Sequence, residues 1–144
     1  MTSDTERNVM IIGREHWTNK GDVRLFLWQK CISELPNPQG TVLFVHGSSM
    51  ASQSTFDLQV PGRPDSSVME WFASRGFDTW CVDMEGYGRS DKKRNINFDI
   101  ANGADDLVVT SQYIGDKTGC DRLLVYGISS GALRAAAFTE RLPG

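Results

Sequence analysis

Three short β-rich runs, Thr41-Val-Leu-Phe-Val45, Phe77 to Val82 and Leu123 to Tyr126, are separated by segments of helical periodicity, and this alternation constrains the chain most. The first run is of the kind covered on both faces of a sheet, and strands that alternate with helices build a parallel sheet. Pro36, Pro38 and Gly40 break the chain before it. Between the first two runs, Ser67-Val-Met-Glu70 fits a capping box, Val68, Trp71 and Phe72 fall on one helix face, and Gly76 is the stop. Between the second and third, Ile100, Ala104, Leu107, Val108 and Ser111 repeat at helical spacing up to Gly119, and from Gly131 the run Ala132 to Leu142 favours a last helix. Upstream, Val9 to Ile12 and Val23 to Cys31 read as two β segments joined across Asn19-Lys20-Gly21-Asp22, an antiparallel hairpin. In the second of these, Val23, Leu25 and Leu27 alternate with Arg24, Phe26 and Trp28. The expected fold class is α/β: a mostly parallel sheet of five strands with helices on both faces and an N-terminal antiparallel hairpin. No repeat, low-complexity segment or internal boundary divides residues 1–144.

Composition narrows the function classes. At 144 residues, 40% hydrophobic and 23% charged, the chain has the length and balance of a soluble domain, which excludes disorder and collagen-like repeats. A net charge of −3, with no basic block longer than Lys92-Lys93-Arg94, excludes a phosphate-backbone footprint, so no nucleic acid partner is expected. Cys31, Cys81 and Cys120 form no Cys-x-x-Cys pair, and with only His16 and His46 beside them no metal site is expected. Reduced thiols, a polar N-terminus from Met1 to Asn8 unlike a signal peptide, and the lack of an apolar stretch of roughly 18 residues lead to the expectation of a cytoplasmic protein with no membrane partner.

The chemistry-bearing motif is Gly127-Ile-Ser-Ser-Gly131, placed between a predicted strand and a predicted helix. A strand-to-helix turn this tight projects the middle residue, Ser129, above the sheet, and side chains in place of Gly127 and Gly131 would collide. The helix that follows aims its first N–H groups at the same spot, favouring negative charge there. A Gly/Ser-rich turn capping a helix is the plain alternative. Two further features coincide with it: His46-Gly47 ends the first of the three β-rich runs, and Asp83-x-x-Gly86-x-Gly88-x-Ser90 ends the second. Gly86-Tyr-Gly-Arg-Ser90 is not a dinucleotide fingerprint, because it lacks the third Gly and runs into Asp91-Lys-Lys-Arg94 rather than a helix.

In order, spacing and context these motifs resemble the α/β-hydrolases, from the hairpin at Val9 to the helix after Ser129, and the loop Asp83 to Asp91 is similar to that of epoxide hydrolases and haloperoxidase-like serine esterases. Epoxide hydrolases and haloalkane dehalogenases carry Asp at the elbow where this chain has Ser129, so the resemblance implies serine chemistry. It implies Ser129 as nucleophile and the backbone N–H groups of Ser48 and Ser130 as the oxyanion hole, with Ser49 the substitute if the loop is shifted by one. His46 and Gly47 would brace the oxyanion loop, Gly127 and Gly131 the elbow, and Asp83 and Glu85 the loop after the fourth strand. His16, in the hairpin, would lie at the far edge of the sheet. Trp17, Trp28, Trp71 and Trp80 are read as core or sheet-face residues. No cofactor is expected, because serine acyl transfer needs none.

The family's acid and His follow the nucleophile in the chain, whereas here the residues after Ser129 hold no His and one acid, Glu140, which points away along the helix. The expectation is therefore an N-terminal half of the hydrolase domain, residues 1–144. A complementary C-terminal half, a separate chain or the rest of a longer one, would supply Asp or Glu and His. It would also cover the edge strand Leu123 to Tyr126 and the helix face of Leu133, Ala136, Ala137 and Phe138. The expected function is a serine hydrolase of ester, thioester or amide bonds in a small-molecule acyl substrate, acting through an acyl-enzyme. The alternatives are a non-catalytic binding or receptor subunit and, with no direct sign in the sequence, autoproteolytic maturation ending at Gly144. The loop Ser48 to Pro64, through Met50, Phe56, Leu58 and Val60, is expected to line an apolar pocket wall.

Overall fold

Residues 10–142 are described in a computed structural model, so Met1 to Val9 and Pro143-Gly144 lie outside the described residues. The elements run β1 (Ile11–Lys20), β2 (Val23–Ile32), β3 (Thr41–Val45), α1 (Ser52–Phe56), α2 (Val68–Ala73), β4 (Asp78–Val82), α3 (Ile100–Thr118), β5 (Leu124–Gly127) and α4 (Ser130–Arg141). The strands form one sheet in the order β1-β2-β4-β3-β5. β2 is antiparallel to both β1 and β4, while β3 is parallel to β4 and to β5, so only β2 runs against the other four.

The hairpin closes tightly, with Lys20 opposite Val23 and Gly21 at φ 59, a left-handed conformation that glycine adopts without a Cβ penalty. β1 is longer than the segment ending at Ile12 that the sequence suggested. Its remainder, Gly13 to Lys20, is mostly polar because the strand is an edge with one face in solvent, so no apolar alternation betrays it.

Both faces of the sheet are covered by helices. Leu25, Leu27, Leu43, Val45, Trp80 and Val82 pack against Ala104, Leu107 and Ile114 of α3 and Phe138 of α4. On the other face Val42, Phe44 and Cys81 meet Phe56 of α1 and Met69 and Phe72 of α2.

The structure corrects three local expectations. The loop after β3 contains α1, which buries Phe56 against Phe44 with ring centroids 5.0 Å apart, so Phe56 packs beneath the loop while Met50 and Leu58 are exposed. At α2 the capping box is half made: Ser67 Oγ accepts the Glu70 N–H at 3.0 Å, but the Glu70 carboxylate takes Lys30 Nζ at 2.5 Å instead of reaching back. The buried face of α2 is Met69 and Ala73 with Phe72 beside them, an i, i+4 pair aimed at the sheet. Val68 and Trp71 point outward, and the Arg75 guanidinium lies 3.6 Å above the Trp71 ring, so Trp71 is not a core residue. On α4 Leu133 and Ala136 face solvent, as expected of a face left without its complementary half, while Ala137 is half-buried, Phe138 is buried against the sheet and Arg134 takes a buried position.

β5 pairs with β3 on one side and is the sheet's edge on the other, leaving Leu124 57% and Tyr126 55% exposed.

Candidate functional site

The turn from β5 into α4 takes two residues, Ile128 and Ser129. The Ile128 N–H donates to Val45 O at 3.2 Å, Gly131 N–H to Ile128 O at 2.8 Å and Ala132 N–H to Ser129 O at 3.0 Å. Between these anchors Ser129 is held at φ 55, ψ −130, a conformation that costs a residue with a side chain on the order of 1–3 kcal/mol. The two glycines are sterically required. A Cβ at Gly127 would stand 2.4 Å from Gly131 O, and one at Gly131 would stand 2.4 Å from Val45 O and 2.5 Å from His46 O. Ser129 occupies the N-cap position of α4, yet its hydroxyl caps nothing and the residue is exposed, so the oxygen is free at the positive end of a helix.

The end of β3 lies directly alongside. A Cβ on Gly47 would come within 3.0 Å of Ser129 Cβ, and the exposed loop Ser48, Ser49, Met50 begins there, with Ser49 at φ 62. His46, fully buried, supports this corner: its Nε2 accepts the Met84 N–H at 3.0 Å, and its Nδ1–H donates to Gly47 O at 2.7 Å. Burial holds the imidazole below its ordinary value near 6.5, so it is neutral at neutral pH. Among the described residues, the N–H groups of Ser48 and Ser130 have no acceptor. The hydroxyls of the same two residues are 2.8 Å apart, and Arg134 Nη1 donates to Ser130 Oγ at 2.7 Å.

The loop after β4 is tied down by two carboxylates. Asp83 Oδ1 accepts the N–H and hydroxyl of Ser52 at 2.8 and 2.7 Å, and its Oδ2 accepts the Arg89 N–H at 2.9 Å, joining this loop to α1. Glu85, fully buried, takes Arg94 Nε and Nη2 at 2.7 Å each and Lys20 Nζ at 2.8 Å. The Arg94 guanidinium, with Lys20 and Asn102, brings its carboxyl down to about 2. Neighbouring Asp106, 2.6 Å from Lys20 Nζ, is pushed up by burial.

Neither histidine is available to deprotonate Ser129. Both ring nitrogens of His46 are engaged, and His16 sits on β1, the opposite edge of the sheet from β5, bound to Tyr113 Oη at 2.8 Å and Gln29 Oε1 at 2.9 Å. Among the described residues no cluster of His, Cys, Asp or Glu is positioned to hold a metal ion, and no helix is long and apolar enough to cross a membrane. The residue sequence reasoning missed is Arg134. Its only signal was Gly103, a glycine inside a helical pattern, where a Cβ would stand 2.3 Å from Arg134 Cδ.

The family model described as serine aminopeptidase, S33, matches residues 36–144. None of the curated proteins matches the chain. Among solved structures it is similar to a predicted CIB-like hydrolase from Thermoplasma acidophilum, with 17% identity and a TM-score of 0.68 over 93% of this chain and 59% of that one. It is similar also to an epoxide hydrolase from Vigna radiata, with 17% identity and a TM-score of 0.68 over 91% of this chain and 35% of that one. A membrane phospholipase A described as a bacterial virulence factor gives 21% identity and a TM-score of 0.66 over 91% of this chain and 36% of that one. At these identities the likeness is one of fold, and the chain spans between about a third and three fifths of the length of these structures.

Proposed function

The chain belongs to the serine aminopeptidase S33 family of α/β-hydrolases, and from that premise we propose that it carries the nucleophile of a serine hydrolase acting on small-molecule acyl substrates. The observation that carries the proposal is Ser129 itself, exposed, strained at φ 55 and with a hydroxyl that caps nothing, beside two backbone N–H groups without acceptors among the described residues, those of Ser48 and Ser130. Ser129 Oγ attacks an ester, thioester or amide carbonyl; the carbonyl oxygen becomes negative and is held by the Ser48 and Ser130 N–H groups. A general base takes the Ser129 hydroxyl proton and passes it to the departing alcohol, thiol or amine, and water, deprotonated by the same base, then releases the acyl group as an acid.

A serine hydroxyl needs a base. With His16 and His46 both engaged elsewhere, the proposal assigns that base, and the Asp or Glu that orients it, to a complementary segment outside residues 1–144. Its seat is the free edge of β5, where Leu124, Tyr126 and, on α4, Leu133 are exposed. A fluorophosphonate applied to the full-length protein is expected to modify Ser129, mapped by peptide mass spectrometry, and to leave Ser129→Ala unmodified. Failure to modify Ser129 in the full-length folded protein would overturn the proposal in favour of a binding or receptor subunit.

A further inference from the structure

Arg134 is 2% exposed and forms no ion pair with a carboxylate among the described residues. A buried cation without an acid costs several kcal/mol, so its retention calls for a specific reason. The side chain crosses α3 at Gly103, where any Cβ would strike Arg134 Cδ, and a glycine inside a helix itself costs about 0.5–1 kcal/mol relative to Ala. The guanidinium then turns back to the start of its own helix, Nη1 donating to Ser130 Oγ at 2.7 Å and Nη2 to Phe98 O at 3.2 Å. Its Nε is buried with no hydrogen-bond partner among the described residues.

A guanidinium can only donate, so Ser130 Oγ is the acceptor in that bond and its own proton is free to go to Ser48 Oγ, 2.8 Å away. We propose that Arg134 is a positioning residue: through the Ser130 hydroxyl it clamps the Ser48 loop to the start of α4 and sets the spacing of the Ser48 and Ser130 backbone N–H groups. The proposal rests on the serine-hydrolase reading of Ser129. An acid beside Arg134 would cancel the positive potential that favours an oxyanion at this corner.

The test uses the full-length protein, a p-nitrophenyl ester and the rate of fluorophosphonate modification of Ser129. Loss of one oxyanion donor costs about 10²–10³ in kcat, and a donor that is displaced rather than lost is expected to cost about tenfold. Ser48→Ala and Ser130→Ala keep their N–H groups, and each is expected to lower kcat and the modification rate about tenfold with KM unchanged. The double variant is expected to be no slower than either single one, and Arg134→Met is expected to add nothing in the Ser48→Ala background. Wild-type rates in both serine variants, or effects that multiply in the double variant, would overturn the clamp. Because both hydroxyls sit on exposed or half-buried residues, the result stands even if Arg134→Met does not fold. No modification of Ser129 in the wild type would instead remove the hydrolase reading beneath it.

Discussion

His46 Nε2 accepts the backbone N–H of Met84 at 3.0 Å, tying the residue after β3 to the second residue past β4. A backbone N–H cannot accept, so this bond places the imidazole proton on Nδ1, which donates to Gly47 O and holds Gly47 against Ser129. The same ring therefore closes the sheet and shapes the floor of the site.

Protonating His46 would break that arrangement. Burial lowers its pKa below the ordinary 6.5, so below pH 6.5 the unfolded chain takes up a proton that the folded chain refuses, and this part of the stability falls as the pH falls. His46→Gln is expected to be less stable by about 1–3 kcal/mol at pH 7. It is also expected to lose less stability than the wild type between pH 7 and pH 5, measured by urea unfolding. His16, also lowered by burial, contributes equally to both proteins, so an unchanged pH slope in the variant would refute the assignment.

Strain at the elbow is measurable by comparing two substitutions that both remove the hydroxyl. Glycine adopts φ 55, ψ −130 freely, whereas alanine inherits the strain. Ser129→Gly is expected to exceed Ser129→Ala in stability by about 1 kcal/mol, roughly 3 °C in Tm for a chain of this size. Equal melting temperatures would limit the strain to the roughly 0.4–1 kcal/mol by which glycine's freer unfolded chain offsets its relief.

Glu85 joins the hairpin end, the loop after β4 and the start of α3 through Lys20, Arg94 and Asn102. Glu85→Gln is expected to cost about 2 kcal/mol, since Lys20 keeps Asp106 but Arg94 loses its carboxylate. With its pKa depressed from 4.5 to about 2, the Glu85 contribution is fully present above pH 4.5 and is lost as the pH falls toward 2. The stability gap between wild type and variant should therefore narrow across that interval, and a constant gap would contradict the depressed pKa.

Much of the architecture was legible in the residues because its signals are local. Glycine stops set the ends of α2 and α3, where Gly76 has φ 90 and Gly119 φ 76. Apolar runs marked β3 and β5, and the glycine spacing marked the turn at Ser129. What escaped depends on partners distant in sequence. Glu70 abandons its cap for Lys30, and β1 continues as a polar edge strand because its neighbour is β2. A local pattern cannot reveal such choices, since each side chain exchanges one satisfied partner for another that only the folded chain brings near.

The sequence by itself determined the α/β alternation and the tight turn at Gly127 to Gly131, because hydrophobic periodicity and the steric limits on a tight turn act within a few residues. Tertiary structure alone decided the sheet order β1-β2-β4-β3-β5, the neutral brace at His46 and the burial of Arg134 against Gly103. Each of these joins groups tens of residues apart, and their energies arise only once water has been excluded between the packed elements.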